Sequence, residues 1–305
     1  MMGGSRLNDV SCIVVHHNSP ETLVHTLRAL VGAGLAPTQI LVVDNSTDPG
    51  QTAAAAAEGF EVVHTANRGY AAAVNDGMKQ LAEAGRLLEY TLIATHESLA
   101  APEAVLALRD ELAADHTIAV AGPTLLNAGA DMQVWSVGGR LSPTLKLPRH
   151  FVDADVVVDE KTVDRDWLDG AFALYRTSDL ESFPLDESYF LYFEETDLHT
   201  RLNRAGKRVV WVPRARVSQR SSGIPPRLLG RNLFRMHAKL FSRFRGRFAV
   251  MFELVRATAR AFLTKRGRWS DVPSIAAGWL QAERELRTAT PEDQSSTSAS
   301  SGSHA

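Results

Sequence analysis

Short apolar runs rich in β-branched residues alternate with amphipathic stretches through the first 114 residues. Residues 12–15, 40–43, 61–63 and 90–94 read as strands; residues 20–30, 51–58, 71–84 and 102–114 read as helices. The last of these has Pro102 at its start, where a missing N–H costs no bond. Alternation of this kind predicts an α/β fold with a mostly parallel, Rossmann-like sheet and helices on both faces. Ligands of such sheets bind beyond the carboxyl ends of the strands. Polar residues gather at those ends: His16-His17-Asn18-Ser19, Asp44-Asn45-Ser46 and Thr95-His96-Glu97.

A second feature is the stretch Phe193-Glu194-Glu195-Thr196-Asp197-Leu198, three carboxylates behind an aromatic run. It opens a segment that reads as a helix as far as Gly206. Acidic side chains at a helix start are favoured by the helix dipole, and a capped amphipathic helix would account for them. Three in one turn beside aromatics also fit a chemical task, in which one carboxylate takes a proton and another orients the substrate.

Composition narrows the class. A chain of 305 residues can bury one large core or two modest ones, and a formal net charge of −2 names no partner. The single cysteine, Cys12, excludes an internal disulfide and fits a reducing compartment. No leader pattern and no membrane-spanning apolar run is present, so a cytoplasmic protein is expected, with peripheral contact at the inner membrane face left open. The expected organisation is a flexible N-terminus (1–8) and an α/β domain (9–223). A basic helical extension (224–287) and a disordered Ser/Thr-rich tail (288–305) follow.

Six segments in order resemble the inverting GT-A glycosyltransferases of family 2, with the bacterial rhamnosyltransferase-like branch nearest in pattern. They are Asp9 to Asn18; Leu41-Val42-Val43-Asp44-Asn45-Ser46-Thr47-Asp48; Asn67 to Gly77; Trp167-Leu168-Asp169-Gly170-Ala171-Phe172-Ala173-Leu174; Leu185 to Phe190; and Phe193 to Leu198. The resemblance implies a GT-A fold, makes residues 9–223 a catalytic domain with a donor half (about 9–125) and an acceptor half (about 126–223), and implies transfer of a sugar from a nucleotide-diphospho-sugar donor to an acceptor hydroxyl with inversion. It places Glu195 at the catalytic base, with Glu194 the next candidate. His17, Asn18, Asp44, Asn67, Arg68, Gly69, Thr95, His96, Glu97 and Arg220 fall on the donor side, and Trp167, Asp169 and Gly170 on the acceptor side. The acceptor would be a small molecule, a natural product or a lipid-linked glycan.

Residue chemistry offers parallel readings. Asp44 can accept a hydrogen bond from a pyrimidine N3–H, or simply form a turn. Arg68 can meet a base or diphosphate with its planar fork, or be a solvated cation. Gly69 permits a crowded or left-handed backbone. Asn75 suits a helix-to-strand hydrogen bond, and Trp135 a sugar platform or a core position.

The chain also departs from the family. Where an Asp-x-Asp metal motif is usual it has Thr95-His96-Glu97, leaving Glu97 as the metal-side carboxylate. Where a second metal ligand, His, is usual it has Gln219-Arg220. A Mg²⁺ or Mn²⁺ cofactor therefore stays open, with Arg220 a candidate to neutralise the diphosphate in its place. The eroded motif also admits a non-catalytic or scaffolding homologue.

After Pro225-Pro226 the character changes. Residues 227–268 hold twelve Lys or Arg and one acid, Glu253, against 21 basic and 34 acidic side chains elsewhere. Phe234, Phe241, Phe248, Val255 and Phe262 recur every seven positions, which predicts an apolar stripe on a basic helix pair broken at Gly246. Three partners suit it: the catalytic domain or a second subunit, an anionic membrane, or nucleic acid. Without a reader fold, nucleic acid is not expected.

Overall fold

The computed structural model describes residues 7–128, 133–151, 161–220, 223–264 and 267–288. The expected tail and most of the expected flexible N-terminus lie outside them. The chain divides into two compact units, Met1–Ser222 and Gly223–Ala305.

In the first unit, β1 (Val10–His16), α1 (Pro20–Gly32), β2 (Ile40–Asp44), α2 (Ala53–Ala57), β3 (Glu61–His64), α3 (Tyr70–Glu83) and β4 (Tyr90–Thr95) follow one another. The short β5 (Leu99–Ala100), α4 (Ala104–Ala114) and the long β6 (Ile118–Asn127) come next. Short strands follow: β7 (Val134–Ser136), β8 (Gly139–Leu141), β9 (Pro148–His150) and β10 (Val163–Asp164). The unit closes with β11 (Phe172–Arg176), α5 (Thr177–Ser182), α6 (Glu194–Arg204) and β12 (Arg208–Gln219).

The main sheet runs β10-β12-β6-β11-β4-β1-β2-β3. Strands β3, β2, β1 and β4 are parallel neighbours; β11 runs antiparallel between β4 and β6. Alternation along β1 assigns the two faces. Val10, Cys12 and Val14 pack with α1 and α4 on one side; Ile13 and Val15 pack with α3 and α6 on the other. Cys12 is fully buried, and burial pushes its thiol well up.

Parallel register sets the functional edge. His16 of β1 lies opposite Asp44 of β2, and Asp44 opposite His64 of β3, so the three residues stand in a row where their strands end.

The second unit is three helices, α7 (Pro226–Leu240), α8 (Arg243–Leu263) and α9 (Asp271–Thr288). The break expected at Gly246 lies instead at Phe241–Ser242, where the Ser242 hydroxyl caps α8 by accepting from Arg245 N–H at 3.2 Å. Gly246 sits inside α8 because a Cβ there would approach the Phe234 ring to 2.9 Å. The seven-residue repeat therefore runs through two helices with different surroundings: Phe234 is buried, Val255 and Phe262 are exposed. Acids of α9 answer part of the positive charge, Glu285 facing Arg231 and Arg235, and Glu283 facing Arg247.

Candidate active site

The strand ends of β1, β2 and β3 form a tightly bonded polar rim. Asp44 is 1% exposed. Its Oδ1 accepts from Ser46 N–H at 3.0 Å and is 2.9 Å from His16 Nδ1, while Oδ2 is 3.0 Å from His64 Nδ1. Burial alone would raise this carboxyl, but the hydrogen bonds from Ser46 and His16 hold it below its ordinary value. The expected contact from Asp44 to a pyrimidine thus meets a carboxylate engaged on both oxygens.

His17 joins the rim through Nδ1, 3.1 Å from Asn45 Oδ1, and Asn18 donates its backbone N–H to the Ser46 hydroxyl at 2.8 Å. Asn67 Oδ1 accepts from Gly69 N–H at 3.2 Å. Arg68 spends its fork on Asp76, at 2.7 and 2.8 Å, and on Glu187 at 2.5 Å. A donor would have to displace these ion pairs to claim it. Asn75 bonds Leu185 O and Glu187, tying α3 to the loop before α6.

At the end of β4 the Thr95 hydroxyl pairs with Ser98 at 3.0 Å. His96 lies edge-on to the His16 ring, 5.2 Å between centroids, with Nδ1 3.2 Å from Val15 O. Burial, then the neighbouring His16, lowers His96 to about 4. Glu97 is raised by burial, against the pull of the nearby Arg220 cation. Arg220 thus reaches this rim electrostatically from the end of β12. Among the described residues no three His, Cys, Asp or Glu side chains converge as a metal site. The protein side offers Glu97, with Glu21 near enough to act on it by charge, and a donor's phosphates would have to supply the remaining oxygens.

The carboxylates of α6 approach this rim from the other side. The Ala171 carbonyl accepts from both Thr95 N–H (2.9 Å) and the Ser98 hydroxyl (3.0 Å). Gly170, one residue earlier, packs on Glu195: a Cβ at position 170 would lie 3.5 Å from Glu195 Cβ. Glu195 therefore stands beside the segment that closes the end of β4. Three residues of the preceding loop with strained backbone deliver it there. Phe190, Tyr192 and Phe193 have φ of 69°, 69° and 75°, a region non-glycine residues rarely occupy. Asp197 anchors the loop, accepting from Arg201 at 2.7 Å and Tyr189 at 3.0 Å.

Here burial works differently from the rim. It pushes Glu195 up to about 7, with Asp169 adding repulsion, and raises Glu194 well above the ordinary range. Glu194 Oε2 is buried without a hydrogen-bond partner. Asp169 is also pushed to about 7 by burial, although it accepts a hydrogen bond from Ser136; His150 Nδ1 lies 3.7 Å away. Trp167 is 3% exposed, edge-on to the His150 ring at 4.6 Å, so it backs the site rather than facing solvent. Trp135 is half-buried, its ring 5.5 Å from that of His150.

One turn touches both sides. Gly69, with φ 105°, packs directly on the Phe190 backbone; any Cβ there would collide with Phe190 O. Tyr70 N–H donates to Phe190 O at 2.7 Å, and the Tyr70 hydroxyl donates to Gly170 O. Tyr70, Ser136, His150 and His64 were not singled out from the sequence, and His16 was read only as one of the polar residues at the end of β1. Tyr70 follows the Asn67-Arg68-Gly69 segment directly, and that adjacency was its one available signal.

Residues 11–131 match the family described as glycosyl transferase family 2. That segment is less than half of the chain, and the chain is similar over parts of its length to rhamnosyltransferases. It is 28% identical over 240 residues to an N-acetylglucosaminyl-diphospho-decaprenol L-rhamnosyltransferase of Mycobacterium tuberculosis (strain CDC 1551 / Oshkosh), covering 69% of this chain and 76% of that protein. It is 39% identical over 69 residues to rhamnosyltransferase WbbL of Escherichia coli (strain K12), covering 22% of this chain and 24% of that protein. The crystal structure of GalNAc-T7 with UDP, GalNAc and Mn²⁺ superposes with a TM-score of 0.61 at 12% identity, over 91% of this chain and 56% of that one. The chain thus spans about a quarter of the E. coli relative and about half of that solved structure, and the likeness to the latter shows the GT-A fold.

Proposed function

We propose that this rhamnosyltransferase-like protein moves a sugar from a nucleotide-diphosphate donor to an acceptor hydroxyl with inversion, Glu195 acting as general base. The observation that carries this reading is the position of Glu195: a carboxylate with its affinity raised to about 7, set against Gly170 and Ala171 beside the end of β4. A base with a pKa near working pH can be deprotonated and still take a proton strongly.

In the proposed step the acceptor oxygen attacks the anomeric carbon while Glu195 takes its proton. The bond from that carbon to the diphosphate oxygen breaks on the opposite face. Arg220, beside Glu97, would stabilise the negative charge gathering on the leaving diphosphate. Glu97 would hold a divalent cation, which when bound supplies further neutralisation there. Burial, with repulsion from Asp169, holds the proton affinity of Glu195 up. The names of the relatives favour a deoxysugar such as rhamnose and an acceptor on a lipid-linked diphosphate.

The test is a transfer assay with nucleotide-rhamnose donors and a lipid-diphosphate N-acetylglucosamine acceptor. Glu195→Gln should lower kcat by about 10² to 10⁴, the usual contribution of a positioned base. Near wild-type turnover in a folded Glu195→Gln protein would remove Glu195 from this role. A scaffolding homologue would show no turnover in either protein and no thermal stabilisation by any nucleotide sugar.

A further inference from the structure

We infer that α8 seats the protein on an anionic lipid surface, through an apolar stripe that faces away from its own helical bundle. At about 100° per residue, Phe244, Phe248, Met251, Phe252, Val255 and Phe262 share one side of the helix. All six are exposed, Phe244 by 68%, Val255 by 63% and Phe262 by 71%. Gly246, Ala249, Val250 and Glu253 are buried on the opposite side. The bundle is therefore packed by the small-residue side, and the aromatic side is surplus to it. Packing a helical unit usually spends the large apolar side chains first; this helix does the reverse. The stripe runs for about 27 Å along the axis. It continues into Trp269, whose ring stacks edge-on with Phe262 at 4.4 Å and is 55% exposed.

The charge beside the stripe selects the occupant. Arg245, about 20° past Phe252 on the helix surface, and Arg268, next to Trp269, are exposed and make no ion pair among the described residues. The acid within α8, Glu253, lies on the buried side and is bonded to Arg256. A second copy meeting this stripe with its own would set arginine against arginine. An anionic bilayer meets both needs: it takes phenylalanine into the acyl boundary, and its headgroups meet guanidinium groups carried on flexible stems. Phe, Met, Val and Trp on one side with Arg at its margins is the composition of a helix lying in the interface plane. No helix among the described residues is long and apolar enough to cross a membrane, so the contact is peripheral. This inference does not depend on the proposed reaction.

Flotation of the full chain with vesicles of phosphatidylglycerol and phosphatidylcholine in equal parts, against phosphatidylcholine alone, tests it. The expected result is flotation with the anionic vesicles, weakened by salt, and little with the neutral ones. Phe248→Glu with Phe252→Glu should lower the partition coefficient at least about tenfold with an unchanged melting temperature, since both side chains are exposed. Arg245→Gln with Arg268→Gln should weaken binding less and flatten its salt dependence. No flotation at low salt, or flotation unchanged in the phenylalanine variant, would overturn the inference. So would a sedimentation dimer that the phenylalanine variant dissociates without any vesicle binding, which would assign the stripe to a second copy.

Discussion

The two sides of the candidate site use burial in opposite ways. At the ends of β1, β2 and β3 the polar groups satisfy one another: His16, His64 and Ser46 all converge on Asp44, and the carboxyl is held below its ordinary value. Beside α6 the carboxylates are buried with few partners, and Glu195 and Asp169 are pushed to about 7. A satisfied network fixes geometry but has little left to give a substrate. An unsatisfied one is costly to fold and keeps its capacity for proton transfer. On the proposed reading the first region is the frame and the second the reagent. The Asn67–Tyr70 turn, packed on Phe190 and Gly170, sets the distance between them.

The largest expected effect is on the reagent side. If Glu195 is the proposed base, the kcat of the wild type should rise between about pH 5.5 and 8 with an apparent pKa close to 7, because the deprotonated form would be the active one. Glu195→Gln should remove that rise along with most of the turnover. A profile that keeps its limb in the Gln variant would mean the titrating group is another residue, and the division between frame and reagent would be drawn in the wrong place.

Next is the frame. Asp44→Asn should cost about 2 kcal/mol of stability, because two histidines lose a buried carboxylate partner. The sign of its pH dependence distinguishes it from the other side. Asp44 is depressed in the folded protein, so its contribution is present above its ordinary value of 3.8 and is lost as pH falls below that. Asp169 is raised, so its contribution is present at acid pH and is lost as pH climbs from 3.8 to about 7. Denaturant melts of Asp44→Asn and Asp169→Asn across pH 3 to 8 should diverge from wild type in opposite directions. Parallel curves would break the comparison.

A smaller effect follows from Asp169 in turnover. Its charge is one of the forces raising Glu195. Asp169→Asn should move the kinetic limb to lower pH by about half to one unit, with less than about tenfold loss in kcat at pH 8. A limb that stays in place would make Asp169 a structural partner of Ser136 alone.

Much of this was legible in the chain, and the reason is locality. The parallel strands announced themselves as unbroken β-branched runs, and the polar residues at their ends lay next to them in sequence. The carboxylate cluster of α6 was visible because its members are neighbours. The partners that give those carboxylates their character were not. Ser136 and His150 come from short strands without a clear period and reach Asp169 only through long-range folding. Gly69 looked like a nucleotide-facing turn, yet the atom that forbids a side chain there belongs to Phe190, 121 positions later. Arg68 and Asp44 carried the right chemistry for a donor, but only the fold shows their groups already committed. The seven-residue repeat misled for a related reason, since a period in the sequence continues across a helix break that the backbone does not.

A separate prediction concerns Arg220, and it decides what replaces the missing part of the metal motif. Its cation acts on Glu97, so both groups address one place at the end of β4. If Arg220 neutralises the leaving diphosphate, Arg220→Ala should lower kcat/KM for the donor by about tenfold to a hundredfold, in line with the loss of one charge-assisted contact. A chelator should then cost the wild type less than the substitution does, and Arg220→Ala should become more dependent on added Mn²⁺, because Glu97 without its cationic neighbour attracts a divalent ion more strongly. Steady-state kinetics in a two-by-two comparison, with and without the substitution and with and without Mn²⁺, reads this coupling directly. Equal metal dependence in both proteins would show that Arg220 and the cation do separate work, and would move Arg220 out of the reagent side and into the frame.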